Sequence, residues 1–150
     1  MNNADGGVAM TDDAQRLLAF TVRGDRYALD LRDIAEVLDA PTPFPVPWAT
    51  GALKGAINFH GNLVTLFDLA EFTTPGTAGT GNIALVLDGR IGNLALVADS
   101  VENIIPADAV LEIEESNEPH VDRIYVMADG ELKLLAPAPL LERIEASLRG

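Results

Sequence analysis

The chain offers few side chains of the kind that carry out reactions. Its two histidines, His60 and His120, are far apart in sequence, and each lies beside turn residues, where a histidine is usually a tolerated surface residue. Ser100 or Ser116 could join either histidine in a Ser-His-Asp arrangement, but the strained G-x-S-x-G turn is missing. Cysteine is missing as well, which excludes thiol catalysis and thiolate metal sites. The sequence therefore predicts that the protein is not an enzyme.

The acidic side chains could instead bind a cation. Residues 99–122 contain eight acids and no Lys or Arg, with Glu112, Glu114 and Glu115 close together. Hard cations prefer carboxylate oxygens, but the regular ligand spacing and the turn glycine of an EF-hand loop are absent. Glycine patterns that bind phosphate are absent too. We therefore expect no metal and no cofactor, while a small-ligand or ion-binding β-barrel that uses residues 108–122 remains the alternative function.

The overall charge limits the choice of partner and compartment. The formal net charge of −13, from 23 acids against 10 bases, repels phosphate backbones, so nucleic acid is not an expected partner. No apolar run approaches the roughly 20 residues of a membrane span. The N-terminal residues also lack the basic start and apolar core of a signal peptide. We expect a cytoplasmic protein without direct membrane insertion.

The elements that would position these side chains are mainly β-strands. Residues 18–31 contain two alternating apolar runs around a Gly-Asp turn signal, which predicts a hairpin. A second hairpin is predicted within residues 51–72, where two apolar runs flank His60-Gly61-Asn62. Glycines 51, 55 and 61 mark positions that need a positive φ or a close backbone approach. Asp68 then predicts the N-cap of one helical turn.

The rest of the chain continues this pattern and closes with a helix. Two further hairpins are predicted around Asp-Gly turns, in NIALVLDGRIGNLALVAD and IYVMADGELKLL. PAPLLERIEASL predicts the closing helix, because Leu140, Ile144 and Leu148 share one face. PTPFPVPW predicts an extended connector, and TTPGTAGTG predicts either a long loop or a seam between subdomains. An echo between residues 61–71 and 92–102 leaves open whether two related β-subdomains are present.

The order of these segments resembles the CheW family of chemotaxis coupling proteins over residues 16–148. The family pattern reads Lys/Arg-Gly-x-x-Asn-Leu-Arg-Gly, two apolar residues, Pro, and an apolar strand that ends in Asp-Leu. Six positions of this chain match that pattern: Lys54, Gly55, Asn58, Gly61, Asp68 and Leu69. The opening LLAFTVRGDRYALDLRDIAEVLD, the hairpin NIALVLDGRIGNLALVADSVENII and the closing DGELKLLAPAPLL follow in the same order as in the family.

The resemblance implies a fold and a function. The expected fold is mainly β, with two small SH3-like five-stranded β-barrel subdomains packed together and a C-terminal α-helix. These would form one domain over residues 15–150, after a disordered tail at residues 1–14. The implied function is a non-catalytic adaptor that couples chemoreceptors to a histidine kinase. Its implied partners are the regulatory domain of a CheA-type kinase and the cytoplasmic tip of a chemoreceptor, which would recruit it to membrane-associated receptor complexes.

Three departures from the family pattern concern the site. The family's arginine is His60 here, its proline is Thr65, and the leucine before the arginine is Phe59. In the family that arginine lies near a glutamate that matches Glu36. A guanidinium holds a carboxylate through two parallel hydrogen bonds, and an imidazole cannot. We therefore expect Glu36 and His60 to form a weaker, pH-sensitive pair, with an exposed and unpartnered turn histidine as the alternative.

The resemblance also assigns residues to partner binding. Ile34 and Val37 match the family's receptor-facing segment, although core positions are an equally open reading of the two. Glycines 55 and 61 are expected to be structural in either case. The departure at His60 leaves open an adaptor of a divergent chemosensory pathway. The full predicted partner-binding set is Ile34, Glu36, Val37, Asn58 and His60.

Overall fold

The structure is a computed structural model that describes residues 16–47, 52–73 and 81–148. The predicted tail at residues 1–14 lies outside the described residues. So do Trp48 and Gly51, and so does nearly all of the TTPGTAGTG segment. For residues 147 and 148 only the backbone is described.

Short strands make up most of the described chain. The six strands of one sheet are β1 (Arg16–Val22), β2 (Asp25–Asp30), β8 (Ser100–Pro106), β9 (Glu112–Glu115), β10 (Val121–Met127) and β11 (Gly130–Leu135). The five strands of the other sheet are β3 (Ile34–Asp39), β4 (Leu53–Phe59), β5 (Asn62–Asp68), β6 (Ile83–Leu87) and β7 (Leu94–Ala98). The helices are α1 (Leu69–Thr73) and α2 (Pro137–Leu148), and 3₁₀ turns span Leu31–Asp33 and Ala107–Ala109.

The strands pair in two sheets. The six-stranded sheet has the order β9-β10-β11-β2-β1-β8, and the five-stranded sheet has the order β3-β6-β7-β5-β4. The chain divides into two compact units. The first unit comprises residues 1–19, 26–31 and 103–150, and the second unit comprises residues 20–25 and 32–102.

The predicted fold class is confirmed: the protein is mainly β, with SH3-like subdomains and a C-terminal helix. One sheet has six strands where five were expected. The short strand β9 is difficult to predict from composition, because three of its four residues are glutamates, which are depleted in strands. Pairing with β10 along its whole length, from Glu112 opposite Val126 to Glu115 opposite Arg123, makes it a strand.

The predicted hairpins form where turn residues separate alternating strands. β1 and β2 are joined by Arg23 and Gly24, and β4 and β5 are joined by His60 and Gly61. All four of these residues have positive φ, between 52° and 87°. Positive φ at both central positions is the requirement of the tight turn that matches strand twist. The glycine in each pair meets that requirement without steric cost.

The five-stranded sheet encloses the core of the second unit. Alternate residues of β5 point inward, so that Val64 and Leu66 are buried while Leu63 is 58% exposed. The central strand β7 is buried at every position, as expected for a strand with neighbours on both sides and both faces covered. The buried cluster consists of Ile57, Val64, Leu66, Ala84, Val86, Ala95 and Val97.

Asp68 caps α1 as its sequence position predicts. Its Oδ1 accepts a hydrogen bond from the backbone N–H of Ala70 at 3.1 Å, which satisfies one of the free donors at the helix start.

The sequence echo between residues 61–71 and 92–102 reflects the pairing of two strands. Its two halves run side by side, because β5 and β7 pair in parallel from Thr65 opposite Leu94 to Asp68 opposite Val97. The echo therefore includes two neighbouring strands of one sheet, β5 and β7, and does not mark two subdomains.

Of the remaining sequence predictions, those of the extended connector and of the closing helix are confirmed, and that of the seam is wrong. Residues 41–47 form an extended connector with one isolated bridge, from Phe44 to Ala56. The segments on both sides of the Gly-rich stretch at residues 74–80 belong to the second unit, so the seam interpretation is wrong. In the first unit, α2 buries Leu140 and Ile144, as its spacing predicts.

Candidate partner-binding surface

Strand β3 presents three consecutive exposed residues next to an interruption of its ladder. Ile34 lies opposite Leu87, but Glu36 lies opposite Val86, so Ala35 is an extra residue in a β-bulge. A bulge bends the strand and changes the direction of the side chains that follow it. Residues 35–37 are all exposed, and Glu36 and Val37 follow the bulge as consecutive residues of the regular ladder.

This geometry answers the question of whether the two apolar residues of β3 belong to the core. Val37 is 39% exposed, and Ile34 is partly buried. Neither belongs to the buried cluster of the second unit, whose members come from the other four strands. Leu38 packs against that cluster and anchors the strand. Glu36 and Val37 are therefore both exposed, although they alternate between the two faces of the regular part of β3.

The hairpin tip between β4 and β5 carries the remaining predicted residues. His60 has a φ of 52°, and Gly61 has a φ of 86°. The Oδ1 atom of Asn58 accepts a hydrogen bond from the backbone N–H of Gly61 at 3.0 Å. Asn58 therefore stabilises the turn from the strand that precedes it, which gives this side chain a structural role. Phe59 packs edge-on against the imidazole, with ring centroids 4.3 Å apart.

Glu36 and His60 come together as the sequence suggests. His60 Nε2 lies 3.9 Å from Glu36 Oε1, which is contact distance for an ion pair but too long for a hydrogen bond. β3 and β4 are the two edges of the five-stranded sheet. The sheet must therefore curl to bring Glu36 on one edge strand close to the hairpin tip that follows the other. The side chains are 73% and 49% exposed for His60 and Glu36, so water weakens their attraction.

Gly55 is required by a close approach of two backbone segments. A Cβ atom at this position would lie 2.8 Å from the carbonyl oxygen of Phe44. Hydrogen bonds of 2.8 and 3.0 Å link Phe44 and Ala56 there and hold the connector against β4. Gly55 also has a φ of 148°, which side-chain-bearing residues rarely adopt. This residue fixes the base of the hairpin whose tip carries His60.

The threonine that replaces the family's proline makes a backbone contact that proline cannot make. The N–H of Thr65 donates a hydrogen bond to the carbonyl oxygen of Asn93 at 3.2 Å. Proline has no N–H to donate. The bond extends the parallel ladder between β5 and β7 by one position. This departure therefore adds a backbone contact within the second unit.

The prediction for the other histidine was wrong. His120 is only 5% exposed, although its turn-rich sequence suggested a surface residue. Arg143 on α2 donates a hydrogen bond from Nη1 to His120 Nδ1 at 3.1 Å, and the His120 carbonyl accepts from the N–H of Ala136 at 2.9 Å. Coverage by α2, a tertiary effect, therefore buries this residue. Burial lowers the pKa of His120, an effect that the nearby Glu118 carboxylate opposes.

The acidic segment forms part of an exposed sheet edge. β9 is the edge strand of the six-stranded sheet, and all four of its residues are exposed. Within the described part of the chain, no three His, Asp or Glu side chains come together in a way that could hold a metal ion. The same described residues contain no helix that is long and apolar enough to cross a membrane.

Comparison with known proteins agrees with this geometry. The family model of the CheW-like domain matches residues 16–144. The chain belongs to the CheW-like family. Among curated proteins, none matches the sequence. The fold is similar to that of TtCheW, a scaffolding protein from Thermoanaerobacter tengcongensis, with a TM-score of 0.72 at 18% identity, covering 88% of this chain and 90% of that chain.

Membership of the CheW-like family places the chain among the scaffold proteins of chemotaxis signalling, a class of proteins without catalytic activity. The CheW-like domain includes the whole second unit from residue 20 onward, and with it the bulged strand and the hairpin tip. The family pattern in the sequence points to residues that lie on this surface, and their role in partner binding stays a prediction. The bulge was missed, because the extra residue is visible only when β3 is paired with β6.

Proposed function

We propose that this CheW-like chain is an adaptor that couples chemoreceptors to a CheA-type histidine kinase. The main support is the exposed bulged segment of β3. It combines an apolar residue, Val37, with a charged one, Glu36, on a rigid strand. Apolar surface with polar surroundings is typical of sites that bind proteins transiently. The residues that would carry the contact are Ile34, Glu36, Val37, Asn58 and His60.

The proposed partners are the regulatory domain of the kinase and the cytoplasmic tip of the receptor. Signalling would pass by positioning these two proteins relative to each other, without any chemical step on the adaptor itself. Binding would bring the protein from the cytoplasm to membrane-associated receptor complexes. Ile34 and Val37 would face the receptor, as the corresponding segment does in the family.

A binding experiment with Val37→Asp tests the proposal. A charge at this position opposes burial of the surface against an apolar partner, so we expect affinity for the receptor tip to fall about tenfold. The matched control is Leu111→Asp, which makes the same kind of change at a residue that is 67% exposed in the first unit. Affinities are measured by titration calorimetry with the isolated receptor tip.

Two outcomes would contradict the adaptor role. One is the absence of binding to both the kinase domain and the receptor tip by the unmodified protein. The other is an equal loss of receptor binding in Val37→Asp and Leu111→Asp. A rise in melting temperature with added calcium, together with absence of kinase binding, would favour the ion-binding alternative.

A cavity among the described residues of the first unit is a structural candidate for the small-ligand alternative. The cavity has a volume of about 120 Å³ and is lined by Leu17, Ala107, Val110, Ile113, Arg123 and Tyr125. Typical small-molecule pockets have volumes of roughly 300 Å³ or more. The cavity therefore suits a single side chain better than a metabolite, and the adaptor function is preferred. The replacement of the family's arginine by His60 keeps open an adaptor that serves a divergent chemosensory pathway.

A further inference from the structure

Arg90 connects two segments of the second unit that are far apart in sequence. It lies in the connection at residues 88–93, between β6 and β7. Its Nη2 atom donates to Asp33 Oδ1 at 2.7 Å and to the backbone carbonyl of Arg32 at 3.0 Å. Its own loop holds it from the other side, because Asp88 Oδ1 accepts from the Arg90 backbone N–H at 3.0 Å and lies 3.4 Å from Nε.

These contacts are made to the 3₁₀ turn Leu31–Asp33, which leads directly into β3. A backbone hydrogen bond of 2.8 Å, from the N–H of Asp88 to the carbonyl of Asp33, reinforces the same junction. The first pair of the β3–β6 ladder, Ile34 opposite Leu87, follows immediately. The guanidinium therefore holds the turn at the point where the register of β3 begins.

The register at this point determines which side chains of β3 are presented to solvent. The ladder shifts by one residue between Ile34 and Glu36 and is regular from Glu36 to Asp39, so that Val37 is exposed while the next residue, Leu38, packs against the core. A strand that slips by one residue exchanges its two faces. If the turn were released, the extra residue could move along β3 or disappear from it. Val37 would then turn toward the core, and Leu38, which now packs against the core, would turn outward.

We propose that Arg90 is a positioning residue for partner binding. It fixes the turn before β3, and it thereby keeps the register that exposes Val37 and turns Leu38 toward the core. The inference rests on the proposed adaptor function, because it concerns the surface that would bind the receptor. Arg90 acts through the strand and touches no partner itself.

The chemistry of the contact favours arginine over other cations. One guanidinium nitrogen bonds a carboxylate and a carbonyl while Nε lies beside a second carboxylate, and this uses several donors in one fixed plane. A lysine ammonium is a point charge on a flexible stem and would keep the attraction without the fixed geometry. Arg90→Lys should therefore weaken the contact, and Arg90→Gln should abolish it.

The experiment compares the unmodified protein with Arg90→Gln, Arg90→Lys and Arg123→Gln. Arg123 is the matched control, since it is an exposed arginine of the first unit whose Nε pairs with the adjacent Asp122 at 3.0 Å. We expect Arg90→Gln to weaken receptor-tip binding about three- to fivefold, the range that an exposed ion pair can carry. Arg90→Lys should give a smaller loss, while Arg123→Gln leaves receptor binding unchanged.

Two further measurements separate positioning from general damage. In the free protein, amide hydrogen exchange at Asp88 and along β3 should accelerate in Arg90→Gln, while exchange in the first unit stays the same. The affinity for the kinase domain and the melting temperature should change no more than they do in Arg123→Gln.

The possible results have distinct meanings. Unchanged receptor affinity or unchanged exchange along β3 in Arg90→Gln would overturn the inference. A parallel loss of receptor binding, kinase binding and melting temperature would overturn it too, because it would indicate general destabilisation. Absence of binding by the unmodified protein would instead contradict the proposed function, and the exchange measurement would still show whether Arg90 holds β3.

Discussion

His60 occupies a backbone position that few side chains tolerate. Its φ of 52° lies in the left-handed region, where histidine is found more often than most residues but still at some cost. Asn58 offsets part of this cost by bonding the next N–H, that of Gly61. The imidazole then reaches to 3.9 Å from Glu36 without forming a hydrogen bond. The pair is therefore present in a weakened form.

Restoring the family's arginine should strengthen this pair. His60→Arg places a longer, permanently charged side chain at the hairpin tip, where it can bond both oxygens of Glu36. We expect a gain of about two- to fivefold in partner affinity or in kinase activation, since the pair is exposed and its energy is limited. The measurement is a kinase-coupling assay with the receptor.

Two controls accompany this prediction. His60→Gln keeps the turn polar without a charge and should not raise coupling. His60→Arg combined with Glu36→Gln should lose the gain, because the carboxylate is then gone. Equal coupling by the unmodified protein and His60→Arg would show that histidine serves as well as arginine here.

Residues whose role depends on local backbone geometry were predicted reliably from the sequence. The glycine at position 61 and the cap at Asp68 follow from turn and helix chemistry alone, and the structure confirms the geometry of both. The prediction for His120 was wrong, because its burial depends on α2, a separate element that begins at Pro137. Local signals contain no information about which distant element will cover a residue.

At the scale of elements, the hairpin of β4 and β5 is held at two points with different requirements. Gly61 lies at the tip, with a φ of 86°, and a Cβ atom added there would have no neighbouring atom within 4 Å. Gly55 lies near the base, where the connector passes so closely that a Cβ would be 2.8 Å from the Phe44 oxygen. The tip therefore requires only a conformation, and the base requires a conformation and space.

Alanine substitutions should separate these two requirements. Gly61→Ala should lower the free energy of unfolding by about 1 kcal/mol, the cost of a left-handed residue with a side chain. Gly55→Ala should cost more, about 2–4 kcal/mol, because strain and a backbone clash add. Urea unfolding at neutral pH measures both. Equal losses would show that the connector can move away from β4 at little cost.

Local sequence patterns predicted some of the strands and missed other features of the sheets. Alternating apolar residues with a turn between them predict strands reliably, as for β1 with β2 and β4 with β5. β9 and the bulge at Ala35 were not predicted. Both depend on pairing with a strand that lies elsewhere in the chain, and pairing register is not encoded in the local alternation.

At the scale of the whole molecule, few side chains are of a type that changes its charge near neutral pH, so few can make stability depend on pH there. Histidine is the side chain whose ordinary pKa lies between pH 5 and 8, and the chain has two. His60 is largely exposed, whereas His120 is buried among charged groups of the first unit. Its Nδ1 accepts from Arg143, and Glu118 Oε1 lies 3.5 Å from its Nε2. Lys133 pairs with the other oxygen of Glu118 at 3.0 Å.

This arrangement stabilises the neutral form of His120. A guanidinium can only donate, so Nδ1 must accept and the ring proton lies on Nε2. A second proton would have to go to Nδ1, directly against the Arg143 cation. Burial, with help from Arg143 and Lys133, accordingly lowers the pKa of His120 below its ordinary value of 6.5, despite the opposing effect of Glu118.

The lowered pKa gives the stability of the fold a definite pH dependence. As the pH falls through about 6.5, the unfolded chain binds a proton at this histidine before the folded chain does. Uptake by the unfolded state lowers the free energy of unfolding. The contribution of His120 is therefore fully present above the unfolded pKa and is lost as the pH falls from there toward the lower folded pKa.

Urea unfolding between about pH 5.5 and pH 8, a window that includes the ordinary histidine pKa of about 6.5, tests this dependence with a matched pair of variants. The unmodified protein should lose stability on the acid side of the window. His120→Gln removes the titrating group and should flatten the curve, even if it lowers stability at every pH. The matched variant is His60→Gln, which makes the same substitution at the exposed histidine of the second unit. The same slope in His120→Gln and in the unmodified protein would contradict a neutral, buried His120, because histidine is the side chain whose ordinary pKa lies in this window.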